Sequence, residues 1–214
     1  MNSKLIFFDL EGVLIQGKNI WERMHEQFGT EKEDRMYLRE FLAKKFGYEE
    51  WVKKVVQLWK GRDIKILYDL IESIEYSKGI DSLFGFIREE KITSYIISTA
   101  IDQLVKKVAK DLNIESYLAT KIIESDGKIT GDAKIGCTFY TKGDALIEVS
   151  KRYGISTKKT IAIGDAINDV SMFEVAGVSI AFNSSCDKLK SIATYVVDSN
   201  DLEDVLTILK KIII

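Results

Sequence analysis

Two apolar runs far apart in the chain each break off into carboxylates. Lys4-Leu5-Ile6-Phe7-Phe8 ends in Asp9 and continues as Leu10-Glu11-Gly12-Val13, and Ile161-Ala162-Ile163 runs into Gly164-Asp165-Ala166-Ile167-Asn168-Asp169. Short, near-continuous apolar runs of this kind are expected of strands buried on both faces of a parallel sheet. Ligands of open parallel α/β sheets sit beyond the carboxyl ends of the strands, so these two ends can meet in space. A hard cation and a phosphate would go there.

Further strand-like runs fall at residues 93–98, 178–182 and 195–197, with amphipathic helical patterns between most of them. Leu104, Val105, Val108 and Leu112 form one such pattern, and Ala145, Leu146, Val149 and Tyr153 another. Alternation of strand and helix predicts an α/β fold, a Rossmann-like parallel sheet with helices on both faces. Two segments interrupt it. Residues 16–76 hold four helical patterns and no strand, with Trp51, Val52, Val55, Leu58 and Trp59 as an apolar stripe. They are expected to form a small inserted helical cap, leaving 1–15 and 77–214 as the core. Near residues 117–135, short runs flank Asp126-Gly127, a turn pair that predicts a β-hairpin on the edge of the core. Lys210 to Ile214 reads as the tail of the last helix.

Composition narrows the function. The chain has 214 residues, 46% hydrophobic and 30% charged, with net charge -2, so nothing points to a nucleic-acid partner. No run approaches the roughly 20 apolar residues that cross a bilayer. The strand that opens the chain leaves no room for a signal peptide, and two cysteines, Cys137 and Cys186, make no disulfide scaffold, so a cytoplasmic monomer or homodimer is expected. His25 is the single histidine, which disfavours a histidine base and a multi-histidine zinc site.

Carboxylates, lysine and hydroxyls must then carry any chemistry. Phosphoryl transfer needs a nucleophile, a divalent cation on the phosphate oxygens, further donors and a proton relay. Asp9 at a strand end can be the nucleophile, and Glu11, two residues on, can face the same mouth as acid and base. Mg²⁺ takes one or two carboxylates plus other oxygens, which Asp9 and Asp165 with a nearby carbonyl would supply. Ser98 and Thr99, expected at the end of the second core strand, and Lys142, opening a helix, can bind phosphate.

In this order the pieces resemble the haloacid dehalogenase superfamily of aspartate-nucleophile phosphatases. Asp9-Leu10-Glu11-Gly12-Val13 corresponds to its first motif, Ser98 to the second, Lys142 in Thr141-Lys142-Gly143-Asp144 to the third and Gly164-Asp165 through Asn168-Asp169 to the fourth. Asp126-Gly127-Lys128-Ile129-Thr130-Gly131 is similar to the hairpin of the phosphoserine phosphatase branch. The resemblance implies Asp9, Glu11 and Lys142 as catalytic residues, Ser98, Thr99, Lys142 and Asn168 on phosphate or substrate, and Asp9, Glu11 (through its carbonyl), Asp165 and Asp169 at a Mg²⁺ site. The implied reaction is hydrolysis of a small phosphorylated metabolite through an aspartyl-phosphate.

Two departures stand out. Glu11 replaces the usual second aspartate, and Asp-Leu-Glu-Gly-Val-Leu resembles a branch with homoserine phosphotransferase activity. The cap glutamate and arginine that hold phosphoserine fall near Lys18 or Asn19 and near Val55, so poor phosphoserine turnover is expected. A shifted register would offer Glu22, Lys53, Lys54 or Arg62 instead. Transfer to an alcohol such as homoserine, and a weakly catalytic regulatory protein that binds a phosphometabolite, are the alternatives.

Each candidate also has a plain structural role. Asp9 could cap a turn, Asp165 and Asp169 could start a helix, and Asn168 could be a turn residue. Trp21, Met24, Trp51 and Trp59 suit a helical core, Lys32, Lys44, Lys45, Lys53 and Lys54 a solvated face, and His25 a structural or exposed position.

Overall fold

The computed structural model describes residues 5–213, so Lys4 of the first apolar run and Ile214 of the last helix lie outside the described residues. In chain order the elements are β1 (Leu5–Phe8), β2 (Ile15–Gln16), α1 (Ile20–Phe28), α2 (Glu31–Leu42), α3 (Tyr48–Leu58), α4 (Lys65–Glu72), β3 (Glu75–Tyr76), α5 (Ile80–Glu89), β4 (Thr93–Ile101) and α6 (Asp102–Asp111). They continue as β5 (Ser116–Ser125), β6 (Lys128–Lys134), α7 (Lys142–Arg152), β7 (Thr160–Gly164), α8 (Val170–Val175), β8 (Val178–Phe182), α9 (Asp187–Ile192), β9 (Tyr195–Val197) and α10 (Leu202–Ile213).

The main sheet has the order β6-β5-β4-β1-β7-β8-β9, parallel throughout except for β5 with β6. The side-chain period of two divides β1 between two cores. Ile6 and Phe8 join Ile96, Ile163 and Phe182 in one cluster, whereas Leu5 and Phe7 join Tyr95, Ile97 and Ala162 in the other. Each of the four is fully buried, and burying a side chain of this size contributes roughly 1.5–3 kcal/mol of transfer free energy. Register aligns Phe8 with both Ile96 and Ile163, so β1 and β7 end at nearly one level. The Asp9 N–H donates to the Ile163 carbonyl at 2.9 Å and carries that alignment one residue further.

The four helices expected within residues 16–76 are α1 to α4. Asn19 starts α1 by accepting the Glu22 N–H at 2.9 Å, and Gly29, at φ 68°, ends it in the left-handed region that glycine tolerates. Ile20, Met24, His25 and Phe28 fall on its buried face. The segment is not free of strand, however. Ile15 pairs with Tyr76 and Gln16 with Glu75, an antiparallel ribbon where the chain leaves and rejoins the sheet. Two residues per strand are too few to print an alternating pattern on the sequence.

The hairpin turns at Asp126 and Gly127, both with positive φ (50° and 72°), as a two-residue primed turn requires. The loop after α3 stitches to it: Gly61 N–H donates to the Ile129 carbonyl (2.8 Å), Ile129 N–H to Arg62 (2.9 Å) and Ile64 N–H to Gly127 (3.0 Å). Another departure concerns β4, which runs on to Ile101 rather than ending at Ser98. Ile97 pairs with Leu118 and Ile101 with Thr120, four steps against two, so Ser98, Thr99 and Ala100 form a bulge that leaves the ladder. Tyr153 also departs from the expected apolar face of α7, because it caps the helix at 40% exposure.

Candidate active site

At the carboxyl ends of β1 and β7, three carboxylates converge on one lysine. Asp9, Asp165 and Asp169 each offer an oxygen within 4.8 Å of the others. Lys142, the first residue of α7 and fully buried, places its Nζ 3.0 Å from Asp9 Oδ1 and 2.7 Å from Asp169 Oδ1. Burial opposes the charge on Lys142, but Asp169 and then Asp9 more than offset it and hold its pKa above the ordinary range.

The two later carboxylates differ in how they are held. Asp169 Oδ2 accepts the N–H groups of Asp165 (2.9 Å) and Ala166 (3.1 Å), so with Lys142 on Oδ1 both of its oxygens are taken. Asp165 Oδ1 is buried with no hydrogen-bond partner. Burial, then the charges of Asp9 and Asp169, raise the Asp165 pKa; burial also raises that of Asp169, against the pull of Lys142. Gly12 makes room for this arrangement. At φ +85° it has the backbone of a left-handed residue, and a Cβ there would lie 2.3 Å from Asp165 Oδ2.

Asp9 is 4% exposed, and its Oδ1 also accepts the Leu10 N–H at 2.7 Å. The Glu11 carboxyl accepts the N–H of Ile20, the first residue of α1, at 2.6 Å. Burial, opposed by that hydrogen bond and reinforced by Asp9, pushes the Glu11 carboxyl up to about 8. Around neutral pH it holds a proton, the state a general acid needs.

These groups open into a cavity of about 600 Å³ that Asp9, Glu11, Ser98, Thr99, Asp165 and Asn168 line at its base. The Asn168 Oδ1 is buried without a partner. Lys142 and Asp169 lie behind this surface rather than on it. The far wall comes from residues 17–55 with Phe139, and it carries the aromatic rings of Trp21, Tyr48, Trp51 and Phe139. Trp21 Nε1–H donates to the Thr99 carbonyl at 3.2 Å, tying that wall to the β4 bulge.

Lys18, Asn19 and Val55 all line the cavity, and so does Glu22. Lys53, Lys54 and Arg62 do not; Lys54 Nζ sits 5.2 Å over the Phe46 ring and the Arg62 guanidinium 5.4 Å over Phe28. His25 is buried, its Nδ1 2.7 Å from Thr30 Oγ1, and it lines the same wall. Sequence reasoning missed Ser184, whose hydroxyl donates to the Asp165 carbonyl, and Gly12 as the space for Asp165. A serine in a loop carries no local signal for that contact.

Residues 13–209 match the family model of haloacid dehalogenase-like hydrolases. The phosphoserine phosphatase of Methanocaldococcus jannaschii is 31% identical over 211 residues, covering 97% of this chain and 98% of that protein. That of Wolinella succinogenes is 24% identical, covering 95% and 98%. Among solved structures, a phospho-aspartyl intermediate analogue of phosphoserine phosphatase superposes with a TM-score of 0.82 at 30% identity, covering 96% of this chain and 98% of that one. A substrate-bound phosphoserine phosphatase complex does so with a TM-score of 0.83 at 28% identity, covering 96% and 97%. The chain therefore belongs to the haloacid dehalogenase-like hydrolases and is a phosphoric monoester hydrolase similar to the phosphoserine phosphatases.

Proposed function

We propose that the chain hydrolyses a small phosphomonoester through an aspartyl-phosphate on Asp9, with Mg²⁺ as its metal. The observation that carries this is Asp9 itself, nearly buried at a strand end, held by Leu10 N–H and Lys142, with the Glu11 carboxyl, its pKa raised by burial, two residues on. An all-oxygen donor set with one buried, unpartnered oxygen on Asp165 suits a hard divalent cation. Asp9, Asp165 and the Glu11 carbonyl would hold it, and it would supply positive charge to the phosphate oxygens there. Asp169, whose oxygens are already engaged, positions Lys142 and the Asp165 loop.

An Asp9 oxygen attacks phosphorus as the ester P–O bond breaks, and Glu11 gives its proton to the departing alkoxide. Water then attacks the aspartyl-phosphate, Glu11 takes its proton, and phosphate leaves with the Asp9 carboxylate restored. Ser98, Thr99 and Asn168 position the phosphate at the base of the cavity, and Lys142, 3.0 Å from Asp9 Oδ1, holds the nucleophile in line. Residues 16–76 act as the cap over a core of 1–15 and 77–214, screening the reaction from bulk water.

Phosphate release from a panel of phosphomonoesters, with Mg²⁺ and with EDTA, is the direct test. Release that depends on Mg²⁺ and vanishes in Asp9→Asn is expected. Near-normal turnover by Asp9→Asn would overturn the nucleophile.

A further inference from the structure

Building on the phosphatase assignment above, we propose that the preferred substrate is the phosphate ester of an amino alcohol without a carboxylate, its cationic end held against the aromatic, acidic wall formed by Glu22, Asp34, Trp21 and Trp51. The charges on that wall are one-sided. Glu22, exposed, and Asp34, half-buried, both line the cavity, and neither has a lysine or arginine nitrogen within 4.0 Å among the described residues, Lys18 and Arg35 acting on them only at longer range. Lys18, the one lysine or arginine on the lining among the described residues, has its ammonium on Glu26 and is 63% exposed in its side chain. Val55, 2% exposed, presents only methyl groups.

Asp34 shows the same imbalance. Burial and then the charge of Glu22 raise its pKa, against a smaller pull from Arg35. His25 does not relieve them. Its Nε2 lies 3.4 Å from Asp34 Oδ1 without making a hydrogen bond, and burial drives the ring down to about 4, leaving it neutral at pH 7.

A ligand cation resting between these carboxylates would supply the missing charge, and a second carboxylate there would meet like charge on an incompletely solvated wall. The aromatic surface favours the cation too, because an ammonium or quaternary ammonium is attracted to the faces of tryptophan and tyrosine. Trp51 Nε1, buried with no partner on the same wall, leaves a donor for a polar atom on such a ligand.

The test is kcat/KM with Mg²⁺ for two matched pairs. Phosphocholine against 3,3-dimethylbutyl phosphate, its uncharged isostere, isolates the cation; phosphoethanolamine against phosphoserine isolates the carboxylate. We expect the first member of each pair to lead by about tenfold, and Asp34→Asn to shrink the phosphocholine to 3,3-dimethylbutyl phosphate ratio several-fold. Equal values within either pair, or an unchanged ratio in Asp34→Asn, overturn the proposal while leaving the phosphatase standing. If 4-nitrophenyl phosphate is also untouched, the phosphatase assignment falls and the substrate class falls with it.

Discussion

Replacing Lys142 by methionine keeps the length of a buried side chain but deletes the ammonium that lies 3.0 Å from Asp9 and 2.7 Å from Asp169. Three carboxylates within 4.8 Å of one another are then left without their cation. Removing one partner of a buried ion pair costs about 3–5 kcal/mol, and at this chain length each kcal/mol moves Tm by about 2–4 °C, so a fall of roughly 6–20 °C is expected. The assay is thermal unfolding followed by circular dichroism, in EDTA at pH 8. The pH dependence has a definite sign. Asp165 and Asp169 already have pKa values raised by burial, and loss of Lys142 raises them further. A carboxyl whose folded pKa exceeds its unfolded value favours the fold at low pH and loses that advantage as pH rises toward the folded pKa. The deficit should therefore be widest at pH 8 and narrow toward pH 5. A variant that melts within about 2 °C of the parent in EDTA at pH 8 would refute the role given to Lys142.

Gly12→Ala should lose about 1–2 kcal/mol to its left-handed backbone and weaken Mg²⁺ binding about tenfold by displacing Asp165, measured by unfolding and by titration calorimetry; unaltered Mg²⁺ affinity would show that Gly12 does not set the position of Asp165. His25, held down to about 4 against an ordinary 6.5, contributes stability that is complete above about pH 6.5 and is lost as pH falls toward 4, about 3 kcal/mol in all. His25→Gln cannot titrate, so its stability should fall less steeply over that range; an identical slope in chemical denaturation would refute the assignment.

The strands that position the site were visible in the sequence because they are buried on both faces and so print continuous apolar runs, as at Leu5–Phe8 and Thr160–Gly164. The carboxylates were visible because they follow those runs directly. Features made by contacts distant in sequence were not. The β2–β3 ribbon is too short to pattern, and the bulge at Ser98–Ala100 depends on how β5 pairs with β4. That Asp169 faces Lys142 and two N–H groups, leaving Asp165 with the free oxygen, depends on packing that the spacing Asp165-x-x-x-Asp169 leaves open. The cavity wall was the least legible part, since Trp51 and Trp59 share one stripe yet only Trp51 lines the cavity.

The stitching of Gly61 and Arg62 to β6, and of Ile64 to its turn, bears on the chain's tendency to aggregate. β6 is one outer strand of the seven-stranded sheet, and an uncovered outer strand is a template for pairing with other molecules. Here the loop after α3 occupies part of that template with main-chain hydrogen bonds, and the opposite outer strand, β9, is only three residues long. Excising residues 16–76 to obtain a minimal core, or grafting a relative's helices in their place, would thus strip the guard from β6, and such chimeras should aggregate unless the replacement re-covers it.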